Sequence, residues 1–246
     1  MRLTREQAAG RVMVALDYPN GKAAEQLIEE LKGIPCYMKV GMQLFYAAGP
    51  SFVEKLKKNG YRVFLDLKMH DIPNTVKGGA NSIAKLGVDM FNVHAAGGAA
   101  MMEAAMEGVD QAVTGVASQS RPTVIAVTQL TSTSRTVLNE QIGIDGTVEA
   151  AVLRYAKLAK QAGLDGVVAA PTEVSAIKNG CGDEFVTVTP GIRPAGAEIN
   201  DQSRIMTPGD ALKQGTDFMV IGRPITAAAD PRASLETIIE ELIASE

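Results

Sequence analysis

Arg62-Val63-Phe64-Leu65-Asp66-Leu67-Lys68 is a strand-length run, apolar at its centre and closed by charges, and the chain repeats this pattern from end to end. Seven further short apolar or β-branched runs surround it: Val12 to Leu16, Cys36 to Val40, Met90 to His94, Thr123 to Thr128, Gly166 to Ala169, Phe185 to Thr189 and Phe218 to Gly222. Successive runs start about 29 residues apart, the length of one strand followed by one helix. The stretches between them are amphipathic. Ala24, Leu27, Ile28 and Leu31 fall at i, i+3, i+4 and i+7 and predict a buried helical stripe. Thr207-Pro208-Gly209-Asp210 predicts a helix start, with an N-cap hydroxyl, Pro at the first helical position and a carboxylate at N3; Gly215 is its stop. Asp230-Pro231 predicts the cap of a last helix with the stripe Leu235, Ile238, Ile239 and Leu242.

Eight strand-helix units in 246 residues, with strands apolar enough to be buried on both faces, predict a single-domain (β/α)8 TIM barrel over residues 1–246. An open doubly wound sheet is the alternative, but no Gly-x-Gly-x-x-Gly follows the first run and no Walker-type loop occurs. Apolar residues make up 46% and charged residues 21%, which argues against disorder or a fibrous repeat. The 24 Lys and Arg against 28 Asp and Glu leave a net charge of -4, so neither nucleic acid nor a membrane is an expected partner. Any bound anion must be held by a local pocket. The opening Met1 to Gln7 lacks the apolar core of a signal peptide, and no later run reaches the ~20 apolar residues of a membrane span, so a cytoplasmic location is expected. Cys36 and Cys181 are expected as separate thiols, with Cys36 buried.

Barrel enzymes carry their chemistry where strands run into the following loops. The first run is followed by Asp17, the second carries Lys39, and the third ends in Asp66-Leu67-Lys68 with His70-Asp71 beyond. Strand alternation puts Asp66 and Lys68 on one side, and Lys39, Asp66, Lys68 and Asp71 are expected within reach of one another at the barrel mouth. A structural ion-pair network is the bland reading. A buried array of this kind costs desolvation and adds little stability over apolar packing, so it points instead to electrostatic preorganisation. A lysine flanked by two carboxylates stays protonated, which suits a proton donor and disfavours a Schiff base. After strands seven and eight come Thr189-Pro190-Gly191-Ile192-Arg193 and Gly222-Arg223-Pro224-Ile225, at the common phosphate site of this fold. The patternless stretch from Pro190 to Pro208 is expected to be a lid that folds Arg193 and Gln202 onto a phosphate. Thr131-Ser132-Thr133-Ser134 offers hydroxyls to a heterocycle. The two histidines, His70 and His94, have no ligand-spaced partner, so no metal site is expected; two lysines oppose a Mg2+ on Asp66 and Asp71. His94 is expected to be a hydrogen-bonded lumen group.

Asp66-Leu67-Lys68-Met69-His70-Asp71-Ile72-Pro73-Asn74-Thr75 resembles the signature of the orotidine 5'-phosphate decarboxylase family. The similarity extends through Val14-Ala15-Leu16-Asp17, Lys39-Val40-Gly41, Val93-His94-Ala95, Thr189 to Arg193 and Gly222 to Ile225. The resemblance implies a homodimeric barrel that converts orotidine 5'-monophosphate to uridine 5'-monophosphate and CO2 without metal or organic cofactor. It implies Lys68 as the group that protonates C6, inside an array completed by Lys39, Asp66 and Asp71. Asp71 would reach the partner subunit's site together with Ile72 and Thr75. Asp17 and Lys39 would contact ribose hydroxyls, and Asp66 would lie near the substrate carboxylate. Thr131 would meet the pyrimidine, Pro190 would join the substrate contacts, and Arg193, Gln202, Gly222 and Arg223 would hold the phosphate. Two rival readings are a magnesium-dependent sugar-phosphate decarboxylase or aldolase of the same barrel group and a non-catalytic barrel that binds a nucleotide phosphate. His70 and Ile72 to Thr75 oppose the first, and the intact charged array opposes the second.

Overall fold

The computed structural model describes residues 2–116, 120–194 and 205–245. Eight parallel strands close into a barrel in chain order: β1 (Val12–Ala15), β2 (Tyr37–Gly41), β3 (Arg62–Met69), β4 (Met90–His94), β5 (Thr123–Val127), β6 (Gly166–Val168), β7 (Val186–Thr189) and β8 (Phe218–Ile221). Closure runs through β1 and β8, where Val12 pairs with Met219 and Val14 with Ile221. The (β/α)8 expectation holds, and each strand lies within a residue or so of its predicted limits.

The predicted helix signals act as read. Ala24, Leu27, Ile28 and Leu31 are buried along and just after helix Gly21–Glu30. The Thr207 hydroxyl accepts the Asp210 N–H at 3.2 Å to cap helix Pro208–Lys213, and Asp230 accepts the Ala233 N–H at 2.9 Å to cap helix Pro231–Ala244. The apolar stripe of that last helix, Leu235, Ile238, Ile239 and Leu242, is buried.

Strand alternation divides the core in two. Val12, Val14, Val40, Leu65 and Phe91 belong to the layer between barrel and helices, while Met13, Tyr37, Phe64, Met90, Ile125 and Val188 fill the lumen. Two residues further along the lumen-facing rows of β2, β3 and β4 the character changes from apolar to polar. Above Tyr37 stands Lys39, above Phe64 stands Asp66, and above Met90 stands Asn92. The packed lower layers thus form a dry floor beneath a polar mouth. No helix among the described residues is long and apolar enough to cross a membrane.

At the other end, three Gly-x-Asp segments repeat one device: Gly87-Val88-Asp89, Gly163-Leu164-Asp165 and Gly215-Thr216-Asp217. Each carboxylate accepts the N–H at the start of the neighbouring strand: Asp89 from Val63 at 2.7 Å, Asp165 from Val124 at 2.7 Å, Asp217 from Thr187 at 2.8 Å. Each also pairs with a cation, Lys57 at 2.5 Å, Arg121 at 3.0 Å and Lys178 at 2.7 Å respectively. These bonds tie β3, β5 and β7 to their neighbours at the N-terminal face, where barrels carry stability and not chemistry.

Candidate active site

The charged residues of the mouth form one alternating chain. Lys39 Nζ lies 3.0 Å from Asp17 Oδ1 and 3.5 Å from Asp66 Oδ2, and Lys68 Nζ lies 2.6 Å from Asp66 Oδ1. Gly41 on β2 leaves room beside this pair, because a Cβ there would stand 3.1 Å from Lys39 Nζ and 3.4 Å from Asp17 Oδ1. Lys39 and Asp66 are nearly enclosed, Lys68 is partly open, and Asp17 is exposed. Burial pushes the Asp66 carboxyl up, but Lys39 and then Lys68 outweigh it and hold the group below the usual carboxylate range.

Asp66 and Lys68 meet, though not by simple alternation. The register of β3 on β4 passes from Leu65 opposite Phe91 to Met69 opposite Val93, so three residues of β3 face Asn92 alone. Within this bulge Lys68 takes φ +54, the left-handed region, at a typical cost of about 1–2 kcal/mol for a side-chain-bearing residue. The Lys68 N–H, displaced from the ladder, donates to Asn92 Oδ1 at 2.8 Å, and Asn92 Nδ2 donates to Asp66 Oδ1 at 2.7 Å.

A cavity of about 260 Å³ opens above the lumen floor, lined by Phe64, Asp66, Lys68, Thr131, Ser132 and Pro190, with Gln129 and Val220 also on its wall. Thr131 and Pro190 thus line the same cavity as Asp66 and Lys68. A wider cleft of about 700 Å³ lies at the N-terminal ends of β2 and β3 between the helices, and its charges are exposed pairs such as Lys55 with Glu25. It lacks the buried alternating array.

Other expected residues are distributed as follows. Asp71 is exposed and does not join the array of its own chain: among the described residues it forms no ion pair, and its Oδ1 accepts the Ile72 N–H at 2.6 Å. The expectation of four mutually adjacent charges is corrected here, because the chain turns outward after Met69 and Asp17 takes the fourth place instead. Ile72 and Thr75 are exposed at the start of helix Pro73–Lys85. Arg193 is buried, with Nη1 donating to the Ile192 carbonyl at 2.9 Å. Gly222 and the exposed Arg223 open the short helix Arg223–Thr226 directly after β8. Gln202 lies outside the described residues. The ends of the predicted lid are less patternless than expected: Ile192 and Met206 form a parallel bridge, and Arg193 N–H donates to the Met206 carbonyl at 3.0 Å. His94 is half-buried beside His70, ring centroids 5.6 Å apart; burial, then His70 and Lys68, push its pKa down against an opposing pull from Asp66.

Asn92 and Gln129 are absent from the sequence reading above. Both were legible by periodicity, Asn92 two residues after Met90 and Gln129 four after Ile125, but an amide within an apolar strand draws less notice than a charge.

Fold and site together define a (β/α)8 barrel with an alternating lysine–aspartate array at the C-terminal mouth, and comparison with known proteins narrows this class. Residues 10–238 match the model of the orotidine 5'-phosphate decarboxylase / HUMPS family. The orotidine 5'-phosphate decarboxylase of Moorella thermoacetica is 50% identical over 240 residues, covering 98% of this chain and 95% of that protein. That of Bacillus cytotoxicus is 50% identical over 230 residues, covering 94% and 96%. A crystal structure of orotidine 5'-phosphate decarboxylase from Lactobacillus acidophilus superposes with a TM-score of 0.84 at 44% identity, covering 94% of this chain and 98% of that one. The chain belongs to the orotidine 5'-phosphate decarboxylase / HUMPS family.

Proposed function

We infer that this chain decarboxylates orotidine 5'-monophosphate to uridine 5'-monophosphate and CO2, with Lys68 as the proton donor. The observation that carries this reading is the alternating run Asp17, Lys39, Asp66, Lys68 ending at the cavity that Thr131 and Pro190 also line. When the bond from C6 to the carboxylate breaks, its electron pair stays on C6, where the ring cannot spread it as a simple enolate. A fixed ammonium beside that carbon stabilises the developing charge, and it does so more in the transition state than in the ground state. Lys68 then gives one proton to C6 and is left neutral until solvent restores it. Asp66 pairs with Lys68 at 2.6 Å and meets the substrate carboxylate.

In the same reading Asp17 and Lys39 hold the ribose hydroxyls, Thr131 and Pro190 the pyrimidine, and Arg193, Gln202, Gly222 and Arg223 the phosphate. Residues 1–246 act as one catalytic domain, in a homodimer to whose partner site each chain lends Asp71, Ile72 and Thr75. In support, Asp71 forms no ion pair with its own array among the described residues, and the neighbouring apolar Ile72 is 67% exposed, open to a partner chain. No metal or organic cofactor is invoked, because two lysines within the array oppose a dication. A soluble nucleotide substrate fits a cytoplasmic enzyme.

The test is the ultraviolet absorbance of orotidine 5'-monophosphate with purified protein, with and without EDTA, beside the Lys68→Ala variant. Conversion that is indifferent to EDTA and absent in the variant is expected. No conversion by the wild-type protein, or full activity in Lys68→Ala, overturns the reading, and EDTA-sensitive turnover of sugar phosphates replaces it with the magnesium-dependent one.

A further inference from the structure

We propose that Asn92 is the positioning residue of the site: its amide holds the bulge that aims Lys68, and at the same time holds the carboxylate that Lys68 faces. This rests on the reading of Lys68 and Asp66 as the reacting pair.

Asn92 is 1% exposed and sits in the middle of β4 among Met90, Phe91 and Val93, where an unsatisfied amide is costly. Both of its functional atoms are engaged, and with one another's neighbours. Oδ1 accepts the backbone N–H of Lys68, and Nδ2 donates to the same Asp66 oxygen, Oδ1, that receives the Lys68 ammonium. One planar group thus links the backbone of Lys68 and the side chain of Asp66. Because an amide is rigid, the two are held at a fixed separation.

The arrangement explains why Lys68 keeps a left-handed backbone. Three residues of β3 lie opposite one residue of β4, so the strand ladder cannot satisfy Lys68 N–H, and the Asn92 side chain supplies the acceptor from within the partner strand. Were that acceptor lost, nothing in β4 would favour the left-handed turn over an extended one, and the lysine stem would swing. A carboxylate at position 92 would keep the acceptor but replace the donor to Asp66 with a second negative charge, separating the two functions of the amide.

Asn92→Asp, close in size to asparagine, and the smaller Asn92→Ser test this. Each is expected to lower kcat by about 10²-fold, the usual effect of a misplacement near 1 Å, while KM stays within about threefold. The Asn92 hydrogen bond favours the charged form of Asp66, so its loss raises that pKa, and the acid limb of kcat/KM moves to higher pH, further in Asn92→Asp than in Asn92→Ser. A merely structural asparagine would lower the unfolding temperature and leave that limb in place. The titration of Asp66 followed by its carboxyl 13C resonance gives the same shift without turnover, so it distinguishes a failed positioning role from a failed assignment of the reaction. Folded variants with kcat within about threefold of wild type and an unmoved Asp66 titration overturn the proposal.

Discussion

Lys39 and Asp17 join a nearly enclosed ammonium to an exposed carboxylate across 3.0 Å, so the alternating array has one end in the barrel and one end in solvent. The exposed end can respond to a ligand while the inner end, Asp66 and Lys68, is already held.

Asp17→Ala follows from that asymmetry. Lys39 retains Asp66 as a partner, so the fold should survive, while the charge-assisted ribose contact proposed for Asp17 would be lost. The expected outcome is a fall in kcat/KM of about 10- to 100-fold, equivalent to one hydrogen bond to a charged group, read by steady-state kinetics on orotidine 5'-monophosphate.

The pH dependence of stability follows from Asp66. Its folded pKa lies below the ordinary value of 3.8, so the unfolded chain binds its proton first as pH falls. The stabilisation is therefore complete above the unfolded pKa and lost as pH falls through the folded one. Denaturant unfolding should show stability declining as pH falls below about 3.8, and Asp66→Asn should flatten that decline.

His94 offers a reporter of the Lys68 charge. Burial is the main cause of its lowered pKa, but His70 and Lys68 add to it. In Lys68→Met the His94 imidazole should titrate at higher pH than in the wild-type protein, followed by its ring proton resonances. An unchanged titration would mean that the ammonium does not sit beside the ring.

Asp217 should separate stability from activity. It accepts from Thr187 N–H and from Lys178 at the N-terminal face, far from the mouth. Asp217→Ala is expected to lower the unfolding free energy by about 2–3 kcal/mol, measured by urea titration, with kcat within about twofold of wild type.

Subunit sharing has its own test. Lys68→Ala and Asp71→Ala proteins, each inactive alone, should regain up to about a quarter of wild-type activity when mixed and allowed to exchange, because a heterodimer carries one intact site of two. No recovery despite exchange, checked by light scattering and a tagged subunit, would place Asp71 in its own chain's site.

The alternation of strands and helices was legible in the sequence because each element reports itself locally: a stripe such as Leu235, Ile238, Ile239 and Leu242 or a cap such as Thr207 depends on neighbours a few residues away. The charges Lys39, Asp66 and Lys68 were legible too, since ionisable groups at the ends of apolar strands are out of place unless they work. What only the tertiary structure decided is who meets whom across strands. The register of β3 on β4 brings Asn92 against Lys68 and Asp66 and sets the left-handed Lys68 within reach of the Asn92 amide, while Asp71 lies outside the array of its own chain. Register is set by the closure of the whole barrel, a sum of pairings between segments about 29 residues apart, and no local window of sequence contains that sum.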